Sequence, residues 1–419
     1  MNMKKNNILL FLLMALPTLL LTSCLKDQED FFPESASERT TKYLENAQKV
    51  LMSSEQGWLL NYYPDRDQSY GGIAYTLKFS EDKVTVASEI AEDVAETVES
   101  TYIMKNEDGP VLMFDTYNEL MHYYATPTGS SGAGGYEAYD GDFIFIIMGI
   151  SADQNTITLK GSRSGNIMYM HRMTTSSTEY LEKVLEIEDF MPVNYKFTVD
   201  TMEVKVAMSS GRISFTSDTL DVETAYIYTN DGIEFYEPIV IGSDSIKGIM
   251  YVGEEERVPV KGSNIIMAPV FLPVNEVLVS NDWYLAFSKI GPFGQPYFLK
   301  AKEGSDGEGE VIGLLAFTDV NGFSLYFQSG RYAGALAFDT QFIGEDQIKL
   351  KYNAANNYSN GNWYYQNAGY NNLCVPLENT FKLEADSKIK ASVIKMTDVN
   401  NPENYFIVTT APVSNPFDK

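Results

Sequence analysis

The chain has 419 residues, 44% of them hydrophobic, and a formal charge of −26 from 57 acidic and 31 basic side chains. That charge argues against nucleic acid as a partner, because binding there demands neutralisation by Lys and Arg, and it sets the body of the protein against an anionic membrane surface. Two histidines and two cysteines leave few of the side chains on which metal sites and nucleophilic catalysis are built.

Residues 1–23 open with Lys4 and Lys5 and continue as an uncharged, mostly apolar run of 14 residues from Ile8 to Leu21. This is short of the roughly 20 residues a membrane-spanning helix needs and has the layout of a secretory signal. Leu21-Thr22-Ser23-Cys24 resembles the bacterial lipobox, which implies cleavage after Ser23 and a lipid on the Cys24 thiol. Lipidation leaves Cys374 unpartnered, so no intramolecular disulfide is expected and Cys374 reads as a small buried hydrophobe. Without the signal, 396 residues remain, carrying a charge of about −28 and held at the membrane by acyl chains. Residues 24–34 form a charged tether. Its acidic start (Asp27, Glu29, Asp30) resembles the signal that sends Bacteroidetes lipoproteins to the outer surface.

Ser35 and Glu38 have capping-box spacing, and Tyr43, Leu44, Ala47, Val50 and Leu51 follow on one face, which predicts a helix from Ser35. Gly57 ends it, and Trp58-Leu59-Leu60 begins strand structure that closes at Tyr62-Tyr63-Pro64. Ser176 and Glu179 repeat the cap before a second helix at 178–190, with Leu181, Val184 and Leu185 inward. Nearly everything else alternates as short strands rich in Tyr, Val, Ile, Phe and Thr between Gly, Asp and Asn turns. Asp108-Gly109, Asp231-Gly232 and Asn321-Gly322 each follow an apolar strand and offer the positive φ of a tight hairpin turn. A second echo links Gly242–Lys247 with Gly344–Lys349 and, more loosely, Ser151–Lys160.

The expected fold class is mainly β (α+β): antiparallel β-meander modules, sandwich- or barrel-like, with one helix opening each of the first two. The expected divisions are a signal at 1–23, a tether at 24–34 and modules at 35–175, 176–262 and 275–419. Thr126–Gly135 is expected to be a loop.

Chemical motifs are few. His122 lies in Met121-His122-Tyr123-Tyr124, expected to be an alternating strand, and neither it nor His171 belongs to a His-Glu-x-x-His pattern. Gly161-Ser162-Arg163-Ser164-Gly165 has Arg163 where a nucleophile elbow needs serine, so it reads as a basic turn. Glu303, Asp306, Glu308 and Glu310 gather oxygen ligands in an expected solvated loop but lack EF-hand order. No catalytic residue, metal or cofactor is assigned.

Residues 353–372 mix amides with aromatic rings and carry no formal charge. Trp363, Tyr364, Tyr365 and Tyr370 are candidates to stack on sugar faces, with Asn362 reaching hydroxyls. Aromatic rings also fill β-sheet cores, and Trp58 and Trp283 are expected as core anchors.

The lipobox, the helix-Gly57-Trp58-x-x-x-Tyr62-Tyr63-Pro64 opening and Asp231-Gly232-x-x-Phe235-x-x-Pro238 together resemble a family of Bacteroidetes outer-membrane lipoproteins of unknown function. This is the domain-of-unknown-function 4302 type, and the likeness covers roughly the first 250 residues. The resemblance implies a surface-exposed lipoprotein accessory to a TonB-dependent, SusC/SusD-like uptake system. It supplies no catalytic residues. The expected function is capture of a glycan or peptide beside the transporter. A carboxylate-dependent, glycosidase-like hydrolase and a structural or adhesive surface protein stand as alternatives.

Overall fold

The computed structural model of the chain describes residues 35–107, 109–127 and 138–418. The signal, Cys24, the tether, Asp108 and residues 128–135 lie outside them. Among the described residues no helix is long and apolar enough to cross a membrane.

Helix α1 (Ala36–Met52) starts where the spacing predicts. Glu38 N–H donates to Ser35 Oγ at 3.2 Å, and Ser35 N–H donates to Glu38 Oε2 at 2.9 Å. Such a cap is worth about 1 kcal/mol. Gly57 then turns at φ 87°, where a Cβ would stand 2.7 Å from the Leu77 carbonyl. Trp58 is fully buried, and its indole N–H donates to Leu51 O at 2.9 Å, tying the strand to the helix end.

Strands β1 (Trp58–Tyr62), β2 (Ile73–Phe79), β3 (Lys83–Ser88), β4 (Val98–Asn106), β5 (Pro110–Phe114), β6 (Ile144–Ile150), β7 (Thr156–Gly161) and β8 (Ile167–Arg172) run antiparallel in chain order. Pairing of Leu59 with His171 closes them into a barrel. Closure removes both exposed sheet edges. Eight strands leave an interior that side chains can fill, here Phe145, Ile147, Leu159, Met168 and Met170.

The second barrel repeats the plan. Helix α2 (Ser177–Phe190) buries Leu181, Val184 and Ile187. Eight strands follow: β9 (Asn194–Val199), β10 (Met202–Ser209), β11 (Arg212–Thr216), β12 (Asp221–Thr229), β13 (Gly232–Ile241), β14 (Asp244–Met250), β15 (Val258–Lys261) and β16 (Ile266–Pro269). The pair Ala268–Lys196 closes them.

The third barrel is opened by a short helix that the sequence did not announce, α3 (Val274–Val279), set just after Pro273. As in the first barrel, a fully buried tryptophan, Trp283, begins the next strand. The strands are β17 (Trp283–Ile290), β18 (Ile312–Thr318), β19 (Ser324–Ser329), β20 (Tyr332–Ile343), β21 (Gln347–Tyr352), β22 (Tyr358–Ser359), β23 (Thr380–Ala385), β24 (Val393–Asp398) and β25 (Tyr405–Thr409). Pairing of β19 with β20 closes eight of them, and β22 is added on β20. Helix α4 (Gln295–Gly307) joins β17 to β18; helices α5 (Gly361–Asn367) and α6 (Cys374–Leu377) lie between β22 and β23.

Two expectations change here. The acidic run at Glu303 is not a free loop, because residues up to Gly307 complete α4, with Lys302 Nζ 2.6 Å from Asp306. The second echo also falls on non-equivalent strands, although Asp108-Gly109 and Asp231-Gly232 both join the fourth and fifth strands of their barrels. Gly242–Lys247 joins the fifth and sixth strands of the second barrel, whereas Gly344–Lys349 joins the fourth and fifth of the third. Gly232 closes its turn with the expected positive φ, 142°, as the first residue of β13. The loop is Asn230-Asp231, and a Cβ on Gly232 would sit 2.1 Å from Ile249 O on β14.

By compactness the chain divides into two units. One holds α1 and most of the first barrel; the other holds the second and third barrels together with segments Asp67–Ala74 and Ser88–Val94.

Candidate functional site

The third barrel carries a cleft of about 690 Å³ where the entry to β18, the β19–β20 hairpin and α5 converge. The hairpin pairs Ser329 with Tyr332, so Gly330-Arg331 is a two-residue turn. Gly330 takes the left-handed φ of 55° that such a turn asks of its first residue. That geometry sets Arg331 and the half-exposed ring of Tyr332 at the cleft. One Arg331 Nη2–H donates to Tyr332 Oη at 2.8 Å, and the guanidinium carbon lies 5.0 Å from the Tyr332 ring centre.

Helix α5 supplies the facing wall. It presses so closely on β20 that a Cβ on Gly361 would stand 2.2 Å from Ala335 O. Helical geometry then separates neighbouring aromatics. Tyr364 is 2% exposed and packs against Phe327 at 5.0 Å and Tyr370 at 5.1 Å. Trp363 is 44% exposed, edge-on to Tyr364, and lines the cleft. The Tyr364 hydroxyl nevertheless reaches the cleft and donates to Glu310 Oε2. Burial first, and then that carboxylate, push the Tyr364 phenol up to about 12, so it stays a proton donor. Asn360 donates to Ala333 O at 3.0 Å and keeps its side-chain oxygen free of a protein partner among the described residues.

The five residues expected to bind ligand are thus split. Trp363 stands at the cleft with its ring exposed, and Tyr364 contributes only its hydroxyl. Tyr370 is fully buried, shares a 3.0 Å hydrogen bond with Ser305 and cannot stack on a sugar. Tyr365 stacks on Tyr352 at 4.6 Å, and Asn362 Oδ1 accepts from Asn357 at 3.0 Å; neither lines the cleft. Composition grouped these residues, but a helix distributes them over several faces. Sequence reasoning missed Arg331 and Tyr332; it singled out Glu310 only as an oxygen ligand of a solvated loop and Asn360 only as part of the 353–372 stretch. The only local signal for Arg331 and Tyr332 was Gly330, a turn glycine before a lone basic residue.

The other chemical motifs resolve as structure. His122 is not on a strand. It lies in a turn at 119–125, accepts the Asn118 N–H at 3.2 Å, and has its pKa lowered by burial. The Gly161–Gly165 turn wraps a buried carboxylate: the Arg163 and Ser164 N–H groups donate to Asp142 at 2.5 and 3.2 Å. Burial pushes the Cys374 thiol up to about 12, which keeps it protonated. Among the described residues no three His, Cys, Asp or Glu side chains are placed to hold a metal ion.

A family model described as "Domain of unknown function (DUF4302)" matches residues 28–252, a little over half of the chain, and stops short of the third barrel. No curated protein matches the chain in sequence. Solved structures similar to it include the DNA polymerase III beta chain of Streptococcus pneumoniae TIGR4, at 13% identity. That match covers 89% of this chain and 98% of that one, with a TM-score of 0.12. The beta subunit from Thermotoga maritima matches at 8% identity, 89% and 98% coverage and a TM-score of 0.11. A protein of unknown function from the DUF3598 family of Nostoc punctiforme PCC 73102 matches at 9% identity, 53% and 99% coverage and a TM-score of 0.15. Scores this low carry no argument about fold or function.

Proposed function

We propose, for a chain that belongs to the domain of unknown function 4302 family, a lipid-anchored outer-membrane protein that faces outward and captures a glycan for a TonB-dependent uptake complex. The observation that carries this reading is the exposed Trp363 indole over a cleft that also presents Tyr332, Glu310 and Asn360. Flat apolar rings beside hydrogen-bonding groups match the two kinds of surface on a sugar. The cleft volume lies in the range of small-ligand sites. The lipobox at Cys24 and the acidic tether support the placement. Anchoring would raise the local ligand concentration beside the SusC/SusD-like transporter components, a gain that needs no further contact.

Glycan-array screening followed by calorimetry on wild type and Trp363→Ala tests the reading. Wild type should bind an oligosaccharide, and the variant should bind it at least about tenfold more weakly, the effect of removing a central aromatic contact. Absence of any glycan ligand, or unchanged affinity in a folded Trp363→Ala, refutes it.

A carboxylate-pair hydrolase is the second reading, favoured by Glu308 and Glu310 lining one cleft. Release of reducing sugar from the bound glycan, lost in Glu310→Gln, would establish it in place of simple capture.

A further inference from the structure

We infer that the cleft takes a glycan bearing an anionic substituent, a carboxylate or a sulfate, and that Arg331 reads it; this rests on the glycan-capture reading above.

The chain carries 57 acidic side chains against 31 basic ones. Some arginines here find a carboxylate, as Arg163 does with Asp140 and Arg212 with Glu223, while Arg172 is held by Ser53, the Gln154 carbonyl and the Trp58 ring. Arg331 has no carboxylate partner among the described residues, although Glu308 and Glu310 line the same cleft. Nor is it adrift. Its position in a two-residue turn, the 2.8 Å bond to Tyr332 Oη and the ring beneath it hold the guanidinium in place. One of its five N–H donors is used, and the rest have no protein partner among the described residues. A held, unpaired fork is the geometry that receives a carboxylate or sulfate through two parallel hydrogen bonds.

Glu310 fits the complementary role. It already accepts the Tyr364 hydroxyl, which orients it and leaves its other oxygen for a sugar hydroxyl. The overall charge of −26 repels an anionic ligand from afar, but exposed charges more than about 8 Å apart are largely screened at physiological ionic strength. A local cation within contact distance is therefore what an acidic sugar needs on this protein. Arg331 supplies it beside the Trp363 ring.

The test uses the purified full-length chain on an array that pairs each uronate-bearing oligosaccharide with its carboxyl-reduced form, and each sulfated one with its desulfated form. Wild type should prefer the anionic member of a pair by about tenfold, the scale of a charged hydrogen bond. The pair that shows the preference identifies carboxylate or sulfate as the group recognised. Arg331→Gln should abolish the preference, so that the two members of a pair bind equally. Arg331→Lys, which keeps the charge and loses the fork, should fall between. Equal binding of both members by wild type, or a preference surviving in Arg331→Gln, overturns the inference and leaves glycan capture standing. Failure of wild type to bind any member overturns glycan capture and this inference with it.

Discussion

Replacing Glu89 by glutamine should remove a pH-dependent destabilisation from the unit that holds the second and third barrels. Glu89 belongs to the segment Ser88–Val94 that packs with that unit. Its Oε1 accepts the Ala74 N–H at 2.8 Å, while Oε2 is shielded from solvent with no hydrogen-bond partner among the described residues. Burial first, and the nearby Glu188 carboxylate in addition, raise the carboxyl to about 8 against an ordinary value of 4.5. The folded chain therefore holds this proton up to pH 8, whereas the unfolded chain releases it above 4.5. Stability from this group is complete below pH 4.5 and is lost as pH rises toward 8. At 1.36 kcal/mol per pH unit of separation, wild type should lose about 3 kcal/mol relative to Glu89→Gln between pH 5 and pH 8. Glutamine keeps the acceptor for Ala74 and carries no proton to release. Denaturant unfolding of both proteins at pH 5, 6, 7 and 8 measures the difference, and hydrogen exchange at the Ala74 amide reports it locally. Parallel stability curves, or a wild type that gains on the variant as pH rises, would show that Glu89 is not a buried protonated acid.

Palmitate labelling should mark wild type and leave Cys24→Ala unlabelled; equal labelling refutes the anchor. Trp58→Phe should cost about 1 kcal/mol more than Trp283→Phe. The first breaks the bond to Leu51 O, whereas the Trp283 indole N–H has no partner to lose among the described residues. Equal losses in denaturant titrations refute that difference. Gly361→Ala should destabilise the third barrel by about 1–3 kcal/mol and weaken glycan binding, because a Cβ there meets Ala335 O at 2.2 Å and displaces α5. Unchanged melting temperature and affinity would contradict the close packing of α5 on β20.

What could be read in the sequence was local. Ser35 and Glu38 mark α1 because a capping box is complete within four residues, and Asn321 (φ 55°) and Gly322 (φ 89°) behave as turn residues because their φ preference is intrinsic. Closure of the first barrel joins Leu59 to His171, a pairing that no local pattern encodes. Helix α3 has six residues, too few to show a period. Helix α5 is written in Gly, Asn and aromatic residues with weak helix propensity, and tertiary packing overrides that weakness. Tyr364 supplies that packing by setting its ring against Phe327 and Tyr370, which also touch each other.

The same residue explains why only part of the cleft was legible. Trp363 stood out because an aromatic face among amide side chains suits a sugar ring. Glu310 and Arg331 come from segments distant in sequence and become a site only once the β19–β20 hairpin and α5 are in place. Tyr364 joins the two levels, with its ring in the barrel core and its hydroxyl on Glu310. The cleft carboxylate is therefore positioned by core packing, so a change at Tyr364 should cost stability and the proposed glycan binding together. Arg331 sits at a hairpin tip, where its side chain contacts its neighbour Tyr332. Substitution there leaves the core untouched, so Arg331→Gln should test the proposed anion preference without cost to the fold.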